Sequence, residues 1–296
     1  MHPDQLAVTE HDVTALISAQ FPQWRGRPVR RVTAQGTVNA VFRIGDGLAG
    51  RFPLQRADLG VARDRLDKEA EAAQELAGRT RFPTPEPVAI GEPGFGYPMP
   101  WSVQTWIPGV VATERDPARS VAFAVDLAEF IEGVRAIDTA GRTFSGGGRG
   151  GRLTAHDEWV QTCFRHSEHL LDVPPLCRAW AVMRELPRGD APDVMTHGDL
   201  MPGNLLVADD RLAGVLDVGG LAPADPATDL VGAWHLLDDR PRQTLRRELG
   251  CDDLEWERGR AWAFEQSMGL VWYYHETNPV MSRTGRRTLE RIMAES

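Results

Sequence analysis

The run His197-Gly198-Asp199-Leu200-Met201-Pro202-Gly203-Asn204, followed by two short apolar stretches and then Asp217-Val218-Gly219-Gly220, constrains the fold of this chain most. Residues 205–207 and 212–216 read as two strands joined by a turn at Asp209, Asp210 and Arg211, and residues 193–196 read as an extended segment entering the loop. A hairpin of this kind brings Asn204, at its start, and Asp217, at its finish, to one edge, where two oxygen donors can share a hard cation. Asp199, on the preceding loop, points to the same place. Phosphoryl transfer needs little more of a protein: a carboxylate that orients a hydroxyl, and oxygen ligands that hold Mg2+ against a nucleotide's phosphates. Each of these residues is common in turns and strand ends, so the order and spacing carry the reading.

The same run, Asp217 and the later segment Asp225-Pro226-Ala227-Thr228-Asp229-Leu230 resemble the aminoglycoside phosphotransferase family, relatives of protein kinases that phosphorylate small hydroxylated molecules. The resemblance extends over nearly the whole chain. It implies an α+β, protein-kinase-like two-lobed fold, with a small antiparallel-sheet lobe carrying one main helix and a larger, mostly helical lobe. It also implies Asp199 as catalytic base, Asn204 and Asp217 as magnesium ligands, and Asp229 as a brace for the catalytic loop, with His197 shaping that loop by hydrogen bonding. Val218 departs from the family, in which an aromatic residue often follows the metal-binding aspartate.

Along the chain, a first amphipathic helix is expected near 12–20 and three short strands at 28–33, 40–44 and 48–52. A helix at 61–76 and two further strands, 88–91 and 101–107, complete the first lobe. Pro108-Gly109 marks the boundary, giving a nucleotide-binding lobe over 1–107 and a catalytic, substrate-binding lobe over 108–296. The glycine-rich segment 145–151 reads as a mobile surface loop, being far from any strand–turn–helix context.

Lys68 is the only lysine, so the phosphate-contacting lysine usual on a kinase's third strand is absent and Arg51 is its replacement. A guanidinium keeps the charge and can bridge two phosphate oxygens. By the resemblance Glu69 on the next helix pairs with it, with Glu71 a weaker candidate; Gly36 and Thr37 lie in a phosphate-approaching loop, and the backbone of Thr105 and Ile107 serves the purine edge. ATP and GTP both remain open as co-substrate.

The link from Asp217 to Asp225 leaves little room for a peptide, which points to a small acceptor. Glu265, Tyr274 and Glu276, among the C-terminal aromatics and acids, are candidates to bind it through charge-assisted hydrogen bonds and cation-π contacts. A net charge of -9 fits a hydroxylated, cationic substrate and argues against a general nucleic-acid binder. Three acceptor readings stay open: an aminoglycoside-like or other antibiotic, an ordinary metabolite such as an amino alcohol or sugar, and no acceptor at all in a nucleotide-binding pseudokinase. No stretch approaches the apolar length of a membrane span and the N-terminus lacks a secretory pattern, so a cytoplasmic location without membrane attachment is expected. Cys163, Cys177 and Cys251 are odd in number and widely spaced, so reduced thiols are expected rather than a disulfide or zinc site.

Overall fold

Thr9 and Asp12 open the first helix with a reciprocal capping box, each side chain bonding the other's backbone amide. The computed structural model describes residues 5–32 and 38–295. Within them the chain divides into two units: one from Met1–Ala77, Pro83–Pro108 and Leu216–Gly219, the other from Gly78–Phe82, Gly109–Val215 and Gly220–Ser296.

The first unit holds α1 (Glu10–Gln20), β1 (Val29–Val32), β2 (Asn39–Ile44), β3 (Leu48–Pro53), α2 (Leu59–Leu76), β4 (Pro87–Gly91) and β5 (Trp101–Thr105). The strands form one antiparallel sheet in the order β1-β2-β3-β5-β4. Ala40, Phe42 and Ile44 of β2 are buried while the residues between them are not, the period-two pattern of a half-buried strand. Phe42, Phe52 and Trp101 fill the core under that face, with Phe52 stacked on Trp101 at 4.7 Å. Asp58 caps α2 by accepting from the Val61 amide, and the helix stops at Leu76, just before Gly78 at φ 70° and well before the proline-rich 82–87 run.

The second unit contains β6 (Val110–Val111), α3 (Val121–Arg135), α4 (Asp157–Ser167), α5 (Val173–Met183), β7 (Val194–Thr196), β8 (Leu205–Ala208), β9 (Arg211–Val215), β10 (Ala222–Ala224), α6 (Val231–Leu236), α7 (Asp239–Leu249), α8 (Asp253–Tyr273) and α9 (Pro279–Ala294). β8 and β9 form the expected hairpin, Leu205 opposite Val215, with β6 on its other edge. β7 pairs with β10, Thr196 opposite Ala222, so the strands entering and leaving the 197–220 segment are tied to each other. Asp126 of α3, fully buried, accepts from the Arg211 guanidinium, the Leu212 amide and Arg81, which fastens the hairpin to that helix. α8 is buried over most of its surface, with Trp256, Trp262, Phe264 and Met268 in the core and the charged Arg258 and Glu265 buried among them. Among the described residues no helix is long and apolar enough to cross a membrane.

Candidate active site

In the first unit Arg51, Glu69 and Asp217 come together. Arg51 Nη2 donates to Asp217 Oδ1 at 2.8 Å, and Nη1 lies 3.6 Å from Glu69 Oε2. Glu69 also accepts from Arg65 at 2.9 Å, whereas Glu71, two positions further round the helix, is exposed. Asp217 adopts φ 56°, a left-handed conformation that aspartate tolerates better than most residues and that costs energy wherever it is held. Gly219 has a steric reason: a Cβ there would lie 2.7 Å from Glu69 Cγ. Val218 is buried against a small cavity of about 30 Å³, with Leu66, Ala70, Ala73 and Val103 among its walls. Thr105 ends β5 with its amide on the Glu86 carbonyl and its hydroxyl accepting from the Glu86 amide, both at 2.9 Å. Ile107, two residues on, makes no hydrogen bond to another described residue. Gly36 and Thr37 lie outside the described residues.

In the second unit the loop 197–204 is organised by two carboxylates. Asp229, fully buried, accepts from the His197 amide through Oδ2 and the Gly198 amide through Oδ1, both at 2.8 Å. Gly198 supplies the bend at φ 80°, a conformation that favours glycine. The Asp199 amide donates to His197 Nδ1 at 3.3 Å, and the buried ring edges onto Phe130.

The Asp199 carboxylate is itself held on both oxygens. Asn204 Nδ2 donates to Asp199 Oδ2 at 2.9 Å and to its carbonyl at 3.0 Å, and Gln266 Nε2 of α8 donates to Oδ1 at 3.0 Å. Arg149 Nη2 lies 3.7 Å from Oδ1 and donates to the Gly198 carbonyl. Close to half of the Asp199 side chain stays accessible, at 45%. The loop thus holds a carboxylate by both oxygens while leaving it partly open to solvent.

Arg149 belongs to the glycine-rich segment expected to be mobile. That segment is instead pinned: the Gly150 carbonyl accepts from the Asp225 amide, the Gly151 carbonyl from Arg258, and the Gly148 carbonyl lies 3.0 Å from His156 Nε2. Sequence reasoning missed Arg149 and Gln266, the first because glycines around it signal flexibility, the second because a neutral amide inside a helix carries no motif.

The three residues expected to bind the acceptor are not gathered into a pocket. Glu265 is only 4% exposed, and its Oε1 takes His156 Nδ1 at 2.9 Å, with Arg149 at 3.9 Å from Oε2. Both ring nitrogens of His156 face acceptors, and the Glu265 carboxylate first, then the Gly148 carbonyl, hold its pKa above the ordinary histidine value against the cost of burial. Tyr274 lies eight residues past Gln266, about 12 Å along the helix, and Glu276 is in the exposed turn beyond it. The nearby aromatics divide likewise: Trp256 and Trp262 are core and Tyr273 faces solvent.

The second unit does carry a groove of about 610 Å³, a size that suits a small ligand. Pro202 of the 197–204 loop and His235 line it, with Asp116, Arg283, Arg286 and Arg287 around them. Among the described residues no group of three or more His, Cys, Asp or Glu side chains could hold a metal without other ligands.

Comparison with known proteins follows this geometry. The chain shares its fold with the GDP complex of wild-type aminoglycoside 2'-phosphotransferase-IIIa at TM-score 0.70, with 20% identity, covering 97% of this chain and 99% of that one. Macrolide 2'-phosphotransferase MphH from Brachybacterium faecium matches at TM-score 0.62 and 18% identity, over 93% of this chain and 97% of that one. A thermostable mutant of aminoglycoside phosphotransferase APH(4)-Ia matches at TM-score 0.64 and 15% identity, over 97% and 99%. The search of curated proteins found no match. The model of the phosphotransferase enzyme family covers residues 29–262, from the first strand of the sheet into α8, and the chain belongs to that family.

Proposed function

We propose that this protein transfers the γ-phosphoryl group of a nucleoside triphosphate to a hydroxyl of a small molecule, with Asp199 as the base. The observation that carries the reading is the Asp199 carboxylate, fixed on one oxygen by Asn204 and on the other by Gln266, yet open to solvent. A base so held needs no reorganisation when a hydroxyl approaches, and orientation of this kind is a large part of what enzymes contribute. Asp199 would take the hydroxyl proton as that oxygen attacks in line, while Asp229 keeps the loop in shape through the His197 and Gly198 amides.

Asn204 and Asp217 each keep an oxygen that could ligate a magnesium ion. Asn204 has both amide hydrogens on Asp199, which leaves Oδ1 as its coordinating atom, and Asp217 keeps Oδ2 beyond the oxygen engaged by Arg51. Two oxygen donors without a full protein cage suit Mg2+, which takes its remaining ligands from water and phosphates. When bound, the ion would neutralise charge on the transferring phosphates. Asn204 and Asp217 flank in sequence the paired ends of the β8–β9 hairpin. Arg51, oriented by Glu69, is the cation for the nucleotide's phosphates, and the Ile107 amide, unbonded among the described residues, is available to a purine edge. Solved relatives carry GDP in three structures, ADP in one and ATP in another, so both purines are tested below.

For the acceptor, relatives solved with kanamycin and gentamicin support an aminoglycoside-like molecule, and MphH a macrolide. A second reading, a metabolite kinase, is favoured by the groove itself: Arg283, Arg286 and Arg287 outnumber Asp116 and Glu290 on its walls, a lining that suits a neutral or anionic polyol better than a polycation. A coupled phosphorylation assay decides between them. Aminoglycosides, macrolides, neutral polyols and hydroxy acids are offered with ATP and with GTP in the presence of Mg2+. Magnesium-dependent transfer to at least one of these supports the function, and its charge class selects the reading. Nucleotide binding without transfer or hydrolysis under any condition would leave a pseudokinase.

A further inference from the structure

Behind the Asp199 carboxylate, side chains from three helices, the half-buried Gln266 and the buried His235 and Thr288, form a continuous line of hydrogen bonds. Gln266 Nε2 of α8 donates to Asp199 Oδ1 at 3.0 Å. Its Oε1 lies 3.1 Å from His235 Nε2 of α6, and His235 Nδ1 lies 2.9 Å from Thr288 Oγ1 of α9. His235 is only 3% exposed and Thr288 fully buried. His235 also lines the groove beside Pro202, so the line runs from the groove to the carboxylate.

The donors and acceptors in this line are not interchangeable. An ionised carboxylate only accepts, so Gln266 must turn its NH2 towards Asp199 and its carbonyl oxygen towards the ring. That oxygen also only accepts, and His235 must therefore carry a proton on Nε2. Burial first, with the positive charges of Arg149 and Arg291 acting in the same direction, pushes the His235 pKa down to about 4 against the hydrogen bond to Gln266, so near neutral pH the ring has one proton to place. With that proton on Nε2, Nδ1 needs a donor. The Thr288 hydroxyl, 2.9 Å from both Nδ1 and the Thr284 carbonyl, has one hydrogen for two acceptors and turns it to the ring.

The reversed arrangement satisfies every join but one. With Thr288 donating to Thr284, the ring would hold its proton on Nδ1, and Gln266 would give its NH2 to Nε2 and face its oxygen to Asp199. Two acceptors would then meet at 3.0 Å, directly at the base.

We infer that Gln266 is a positioning residue for Asp199, and that the Nε2–H tautomer of His235, set by Thr288, keeps the Gln266 amide the right way round. This rests on Asp199 being the base. The geometric part stands apart from that reading and can be measured without turnover.

The experiment has two arms. In the first, the full-length protein carrying 15N-labelled histidine is examined by NMR near pH 7, with His235 assigned by its loss in His235→Gln. A proton on Nε2 is expected, and a proton on Nδ1 overturns the inference. In the second, magnesium-dependent nucleotide hydrolysis, with water as acceptor, is compared for wild type, Gln266→Leu and Gln266→Glu. Both variants are expected to lose about 10- to 100-fold in kcat with the nucleotide KM unchanged, the range that misplacement of a catalytic group produces. The Gln266→Glu variant should recover part of its rate as pH falls, because its new carboxyl becomes a donor again when protonated; Gln266→Leu should not. A folded Gln266→Leu protein with wild-type kcat, or equal pH profiles for the two variants, would sink the positioning role. Absence of any wild-type turnover would instead remove the base assignment, a failure seen before any variant is made, and the first arm would still report the amide's orientation.

Discussion

Arg51 shows how far one residue can be read before a structure exists. The family resemblance, in a chain whose single lysine lies in a helix, points to Arg51 as the cation on the third strand, and the structure puts the Arg51 guanidinium between Glu69 and Asp217. Arg51→Ala is expected to weaken magnesium-nucleotide binding about 10- to 100-fold, the worth of one charge-assisted hydrogen bond, measured by calorimetric titration. Unchanged affinity would exclude it from the nucleotide site. Gly219→Ala tests the same cluster sterically: its Cβ would press on Glu69, so nucleotide affinity should fall although no charge has changed. Of the residues in the candidate site, the acids and Asn204 were legible because loop, strand and turn chemistry fixes their spacing. Gln266 and Arg149 were not, because their partners lie 67 and 50 positions away and nothing local marks them.

Elements were legible where periodicity is strong and misleading where it was asked to find a pocket. The β8–β9 hairpin and the first sheet follow from alternating apolar residues and turn chemistry. The acids and aromatics of α8 do not line one face towards a ligand, because a helix packed on most of its sides buries much of what it carries, including Glu265. The Glu265–His156 pair makes a pH prediction with a definite sign. The folded state holds the His156 proton more tightly than the ordinary value of 6.5, so its contribution to stability is complete below that pH and is lost as pH rises through the raised value. His235 acts oppositely: its folded pKa is lowered to about 4, so its contribution is complete above 6.5 and is lost as pH falls towards 4, with a limiting slope of about 1.4 kcal/mol per pH unit. Thermal melting between pH 4 and 9 should show His156→Gln flattening the alkaline limb and His235→Gln the acid limb. The opposite pairing would mean that the two protonation states are misassigned.

At the scale of the whole molecule, about one residue in five is shared with a relative whose fold matches at TM-score 0.70, so the fold outlasts most of the sequence. Within this chain Arg258 is a buried polar anchor. All its donors are used inside the protein, on Asp225, on the carbonyls of Leu186 and Pro187, and on the carbonyl of Gly151. Both members of the pair are buried, and Asp225 opens the segment that presents Asp229. Arg258→Ala, which strands that carboxylate, is expected to cost about 3–5 kcal/mol in denaturant unfolding, whereas a double replacement of both partners by apolar residues should recover much of it. A single-site loss below about 1 kcal/mol would show that the anchor is dispensable. The proposed activity rests first on the Asp199 carboxylate, held by Asn204 and Gln266. Its most direct test compares wild type with Asp199→Asn for transfer from γ-labelled nucleotide to the best acceptor, alongside nucleotide affinity. The account predicts near-normal binding and turnover lower by about 10²- to 10⁴-fold, and turnover like that of wild type would contradict it.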